Sequence, residues 1–252
     1  MLAASVSRDG ALAVIGDWGS SADYEFYLAK LDGSPAVLLG SGVAGDISPN
    51  NKWVTSILPS DLSKVLLLPT GVGEIKRISA PTFQYRKAMW TSDGRRLVVR
   101  ASESDRPLRF WLQDIAGGSP RPVTPEGVDG LLVTVNHADF VSARDTNGTF
   151  RLYPIDGGEP NIVKGLTDSD LVVGGASTSD VLYVTPDRSA VPMQILKVNI
   201  ATAERQPFVS VSPKDSAGIV SLFPPIFTAD EKRYVFTQQR AFSVLYIATG
   251  LK

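Results

Sequence analysis

Short apolar segments alternate with polar turns along the whole chain. No segment carries a 3.6-residue apolar stripe over ten or more residues. Six segments rich in β-branched and aromatic residues read as strands: Ala11–Ile15, Trp53–Leu58, Leu97–Val99, Phe140–Ala143, Val181–Val184 and Tyr234–Thr237. Each follows a polar turn. The clearest turns are Ser7-Arg8-Asp9-Gly10, Ser48-Pro49-Asn50-Asn51 and Thr91-Ser92-Asp93-Gly94. Weaker copies are Val135-Asn136-His137-Ala138, Ser177-Thr178-Ser179-Asp180 and Thr228-Ala229-Asp230-Glu231. Their third residues, 9, 50, 93, 137, 179 and 230, step by 41, 43, 44, 42 and 51. A period of about 40–45 residues matches one four-stranded propeller blade.

A further strand follows in each repeat: Phe26–Lys30, Val65–Leu68, Arg109–Gln113, Phe150–Pro154, Gln194–Val198 and Val244–Ala248. Each runs into a second turn, usually with glycine, as at Asp32-Gly33, Gly117-Gly118 and Gly157-Gly158. The pattern predicts one all-β domain, residues 1–252: a six-bladed β-propeller of four-stranded antiparallel blades. The blades fall at about 1–40, 41–80, 81–125, 126–167, 168–212 and 213–252. The insertion Ser210–Leu222 reads as room for a short helical turn. Only Leu251 and Lys252 follow the turn at Thr249-Gly250. The last blade is therefore expected to lack its outer strand, leaving Leu245, Tyr246 and Ile247 on an edge. A ring has to hide its first and last edges, so the polypeptide is expected to continue upstream of Met1.

Composition narrows the function classes. With 25 basic and 26 acidic residues the net charge is −1, which favours neither nucleic acid nor an anionic membrane surface. There is no cysteine, so thiol catalysis and cysteine-held zinc are excluded. No apolar run approaches the ~20 residues of a membrane span, and the start lacks the pattern of a signal peptide.

Candidate chemistry is sparse. The one histidine, His137, falls in a turn. Asp9, Asp93 and Asp230 occupy equivalent turns of different repeats and read as turn formers spread around the ring. Gly71-Val72-Gly73-Glu74 and Asn147-Gly148-Thr149 read as hairpin turns. There is no Gly-x-Ser-x-Gly elbow and no kinase motif. Trp53, Trp90 and Trp111 lie on strands and read as core. The richest chemistry lies in the loops that a propeller gathers on one face. Trp18, Tyr24, Tyr85, Arg86, Arg100, Arg106, Arg144, Arg188 and Arg240 fall there, and Arg with aromatics are the types enriched at recognition hot spots. These nine are the candidate ligand- or partner-binding residues.

The repeats resemble the WD40-like repeats of TolB-type propellers, with their Ser-Pro-Asp-Gly turn and following strand. Phe150-Arg151-Leu152-Tyr153-Pro154-Ile155-Asp156-Gly157-Gly158-Glu159-Pro160 and the ending Ser243–Lys252 resemble segments of acidobacterial transmembrane serine/threonine protein kinases that carry a C-terminal propeller. The resemblance implies a non-catalytic binding or sensing module within a larger bacterial signalling protein. It also implies protein or peptide partners and an extracytoplasmic or periplasmic setting through an upstream tether; without that tether the setting is cytoplasmic. A small ligand is a further candidate partner. No cofactor, nucleic acid or direct membrane contact is expected. The alternative is a six-bladed lactonase-like hydrolase with a channel metal, for which Asp46 and Asp129 are the candidate carboxylates.

Overall fold

The computed structural model describes residues 2–17, 19 and 22–241. Every regular element among them is a β-strand. Blade 1 is β1 (Leu2–Val6), β2 (Leu12–Asp17), β3 (Glu25–Lys30) and β4 (Val37–Ser41). Blade 2 is β5 (Val43–Ile47), β6 (Trp53–Leu58), β7 (Asp61–Pro69) and β8 (Lys76–Ile78). Blade 3 is β9 (Phe83–Trp90), β10 (Arg96–Glu103), β11 (Arg109–Asp114) and β12 (Arg121–Pro122). Blade 4 is β13 (Gly130–Val135), β14 (Ala138–Arg144), β15 (Phe150–Pro154) and β16 (Asn161–Ile162). Blade 5 is β17 (Leu171–Gly175), β18 (Val181–Thr185), β19 (Met193–Asn199) and β20 (Arg205–Val211). Each blade is an antiparallel meander in chain order.

The remaining strands are β21 (Ile219–Leu222), β22 (Ile226–Phe227), β23 (Tyr234–Val235) and β24 (Gln238–Arg240). They pair as β21 with β24 and β22 with β23, forming one hairpin. β22 touches the first strands of both blade 5 and blade 1, so this hairpin stands where the ring closes. The expectation of six four-stranded blades is corrected: the described residues form five, plus a hairpin. Pro224 and Pro225 have no N–H to give to a ladder and divide one arm of that hairpin. The strand expected at Val244–Ala248, with Leu245, Tyr246 and Ile247, lies outside the described residues. Ser210–Leu222 contains no helix; β20 runs to Val211 and β21 begins at Ile219.

The core lies between blades. Val14 and Phe26 of blade 1 pack with Val54 and Leu68 of blade 2. Val65 and Leu67 meet Tyr85, Trp90 and Trp111 of blade 3. Met89, Val98 and Phe110 meet Val141 and Tyr153 of blade 4, and Val133 and Leu152 meet Leu182 and Val198 of blade 5. Tyr183, Met193 and Ile195 of blade 5 pack with Leu222, and Phe227 and Phe236 join them. Neither face of an inner blade is free, so apolar residues run nearly unbroken through strands such as Val65–Leu68. Trp90 and Trp111 are buried here, as their strand positions predicted.

The repeated turn has one construction in blades 1, 2 and 3 and in the hairpin. A hydroxyl at its first position donates to a side-chain oxygen two residues on, a carboxylate oxygen of Asp or the amide oxygen of Asn. The pairs are Ser7 with Asp9 (2.6 Å), Ser48 with Asn50 (2.8 Å), Thr91 with Asp93 and Thr228 with Asp230 (both 2.6 Å). The fourth residue closes the turn with positive φ: Gly10, Asn51, Gly94 and Glu231 at 59° to 67°. Glycine takes that conformation without a Cβ penalty, and asparagine tolerates it. Blade 4 uses a tighter device. Asn136 and His137 form a two-residue turn with φ of 45° and 65°, and His137 is exposed. In blade 5, Ser179 N donates to Ala176 O at 3.4 Å. The frame there starts at Ala176, one residue earlier than the sequence pattern suggested.

Candidate functional site

The first-to-second-strand turns share one face of the disc, here the turn face. The second-to-third-strand loops and the connections between blades share the other, the loop face. The turn face is stitched from blade to blade. Asn51 Nδ2 donates to Asp9 Oδ2 at 2.8 Å, Ser92 N to Asp139 Oδ2 at 2.6 Å, and Asn136 Nδ2 to Asp180 Oδ1 at 3.1 Å. Lys197 Nζ reaches Glu231 at 2.5 Å, and Arg233 Nη2 donates to Asp9 O at 2.5 Å. That last bond, with Ala3 N to Thr237 Oγ1 at 2.8 Å, joins the hairpin to blade 1.

The nine candidate residues divide sharply. Trp18 lies outside the described residues. Tyr24 is half-buried, with φ of 60°. Tyr85 is fully buried in the blade 2–3 core, where its hydroxyl donates to Gln113 Oε1 at 2.9 Å. It is a packing residue, because β9 alternates: Phe83 and Tyr85 point inward, Gln84 and Arg86 outward. Arg86 is exposed and makes weak bonds, at 3.4 Å, to Tyr85 O and Gln84 Oε1. Arg188 is exposed and has no side-chain partner among the described residues.

The other four arginines are braces. Arg144 stacks 3.9 Å over the Phe150 ring, donates to Gly148 O, Thr167 O and Asp168 O, and pairs with Asp168 Oδ1 at 3.2 Å. Arg240 holds Asp215 Oδ2 at 3.0 Å and Asp215 O at 2.6 Å. Arg106 pairs with Glu126 at 2.8 Å. Arg100 faces Asp129 Oδ1 at 3.4 Å. All four partners sit in connections between blades, so these side chains fasten loops to the disc. Arg144 and Arg240 have little donor capacity left for a ligand.

A residue the sequence reading passed over lies midway along the innermost strand of blade 3. Lys87 lies on β9 directly opposite Arg100 on β10. Its side chain is reached by solvent, yet protein surrounds it closely enough that burial pulls its ammonium below the ordinary lysine range; Asp129 and Asp46 oppose that shift and Arg100 adds to it. The available signal was a lysine within the run Lys87-Ala88-Met89-Trp90, in a strand otherwise entering the core. Asp46, on β5, ties three blades: Oδ1 accepts from Ser5 Oγ at 2.7 Å and Oδ2 from Trp90 N at 3.1 Å. Burial pushes its carboxyl above the usual range, against those bonds. Asp129 Oδ1 accepts from Gly130 N at 2.9 Å. No group of three or more potential metal-ligating side chains occurs among the described residues.

On the blade 2 side of blade 3 an open groove of about 760 Å³ runs between the β6–β7 turn and the connection into blade 3, lined by Ser60, Asp61, Leu62, Thr82 and Phe83. The Lys64 ammonium beside Asp61, and then the Ser63 hydroxyl, draw its carboxyl down to about 2.

This arrangement is that of a β-propeller with one stitched face and one charged, open face. No family model and no curated protein matches the sequence. Solved structures do. TolB from Acinetobacter baumannii is similar at a TM-score of 0.59 and 14% identity, over 84% of this chain and 55% of that one. An oligogalacturonate lyase in complex with manganese is similar at 0.58 and 15%, over 90% of this chain and 68% of that one. A prolyl endopeptidase is similar at 0.53 and 15%, over 95% of this chain and 40% of that one. The chain thus spans about two fifths of the endopeptidase and just over half of TolB. At these identities the likeness is one of fold.

Proposed function

We propose that the chain is a non-catalytic binding propeller whose loop face takes a protein or peptide partner. The observation that carries this reading is that Arg188, in a loop of the loop face, and Arg86 and Lys87 on β9 are unspent or weakly bonded, beside arginines that tie that face's connections together. The TolB-like repeat pattern supports it, since that resemblance implies protein partners. A sensing role within a signalling kinase rests on the sequence resemblance alone. The hydrolase alternative asks Asp46 and Asp129 to hold a metal, whereas Asp46 is bonded to Ser5 and Trp90, and Asp129 to Gly130 and faces Arg100.

The test is selection of displayed peptides on the immobilised protein, followed by mapping with variants. Binding should fall about tenfold in Arg86→Ala combined with Arg188→Ala, and should persist in His137→Gly on the turn face. Peptides that lose affinity only with the turn-face variant would overturn the choice of face. A stoichiometric, tightly held divalent ion in purified protein would favour the hydrolase instead.

A further inference from the structure

Lys87 and Arg100 are direct cross-strand partners, so their side chains leave the same side of blade 3. That side faces blade 4: their neighbours along the two strands, Met89 and Val98, pack against Val128 and Val141. Two like charges directly opposite one another repel. Arg106, Arg144 and Arg240 on this face each hold an acceptor of their own, but here two cations share one nearby carboxylate. Asp129 is 3.4 Å from Arg100 Nε, already accepts a bond from Gly130 N, and leaves 73% of its side chain exposed. Arg100 Nε is buried and has no hydrogen-bond partner. The Lys87 side chain makes no hydrogen bond or close ion pair among the described residues. The other carboxylate that Lys87 senses, Asp46, is engaged by Ser5 and Trp90.

A cross-strand cation pair with an incomplete counter-charge, open to solvent and walled by protein, is the setting in which a ligand anion gains most from charge-assisted hydrogen bonds. We infer that Lys87 and Arg100 form a carboxylate-binding site at the loop-face mouth between blades 3 and 4, taking an acidic side chain or terminal carboxylate of a bound peptide. The site rests on the binding-propeller reading and names the chemistry it recognises. Asp129 serves as the occupant's competitor. It holds Arg100 loosely when the site is free and is exposed enough to swing aside.

The test uses glutarate as the probe and its uncharged diamide as control, with backbone amide NMR on the full chain. Glutarate should shift the Lys87, Arg100 and Asp129 amides saturably, and the diamide should not. Lys87→Met should weaken glutarate about tenfold while leaving the melting curve close to that of the parent. Asp129→Asn should strengthen it, which a merely structural lysine would not produce. Shifts that are linear and spread over the surface, equal response to the diamide, or no effect of either substitution would overturn the site. Sulfate binding as tightly as glutarate would replace it with a general anion site. If glutarate fails while selected peptides still map to the loop face, the carboxylate site falls and the binding reading stands.

Discussion

The two faces of this propeller are held together by different chemistry. On the turn face, short side chains and backbone groups build each turn within about five residues, the same hydroxyl-to-Asp or -Asn turn recurring at Ser7, Ser48, Thr91 and Thr228, and bonds such as Asn51 to Asp9 and Asn136 to Asp180 then join neighbouring turns. On the loop face, long arginines cross from a strand or loop to a connection between blades, as Arg144 does to Asp168 and Arg240 to Asp215. The first set repeats because every blade needs the same tight reversal. The second does not, because the connections differ in length and each brace finds its own partner. A charged network of long side chains can also be rearranged by a ligand, whereas a stitched ring of turns cannot.

The comparison is most exposed at the connection into blade 5, where a charge pair is buried. Asp170 lies with its side chain fully covered, and Arg205 grips it through Nη1–Oδ2 at 2.6 Å and Nη2–Oδ1 at 2.9 Å. Thr167 N donates a further bond at 2.6 Å, and Arg205 also reaches Gly165 O at 2.8 Å. Arg205→Ala should cost about 3–5 kcal/mol in urea denaturation, because it strands a buried carboxylate. Desolvation raises the Asp170 carboxyl, but the bonds from Arg205 and Thr167 together outweigh it, and the net shift is down. A depressed folded pKa contributes stability above the unfolded value, near 4, that is lost as pH falls through the folded value. The gap between parent and variant should therefore narrow below about pH 4. A gap under about 1 kcal/mol at pH 7 would place this pair with the surface braces.

Thr91→Val probes the turn face. Thr91 is fully buried; its hydroxyl donates to Asp93 and accepts from Arg96 N at 3.2 Å. Valine keeps the volume and removes both bonds, so a loss of about 1–3 kcal/mol is expected in the same measurement. An effect near zero would mean that the repeated turn is held by its backbone bond, Gly94 N to Thr91 O at 3.0 Å, and that the hydroxyl is incidental.

That turn is also why the architecture was legible in the sequence. Its donors, acceptors and positive-φ residue are adjacent, so the motif survives as a pattern at a fixed period. The strand positions followed from it. Blade 5 was framed one residue late because Ala176 stands where the hydroxyl belongs and leaves no mark. The candidate site was less legible. The arginines were expected in loops; Arg106 and Arg188 lie there, whereas Arg86 and Arg100 lie within β9 and β10, and the acceptors of Arg144 and Arg240 lie 24 and 25 residues away, a separation no local pattern reports. Braces and free anchors therefore looked alike. Tyr85 was misplaced because β9 begins at Phe83, so Tyr85 lies within the strand and alternates inward with Phe83 instead of standing in the connection. Lys87 was passed over because a single lysine in an apolar strand carries no periodic signal.

Arg106→Ala is the smallest expected effect and isolates the loop-face chemistry from burial. Arg106 pairs with Glu126 at 2.8 Å, a better distance than Arg100 to Asp129, yet 65% of its side chain is exposed. Water screens the pair and competes for both partners, and ordering a long side chain opposes the Coulomb gain. The loss should be at most about 1 kcal/mol and should shrink as salt is raised, since exposed charges are screened within a Debye length of about 10 Å at 0.1 M. The turn-face loss in Thr91→Val should not respond to salt, because no net charge is removed. The two variants measured across a salt series therefore separate the faces by mechanism as well as by size. A salt-independent loss of several kcal/mol at Arg106 would show that the loop face is as rigidly built as the turn face, and would remove the contrast on which its assignment as the binding face depends.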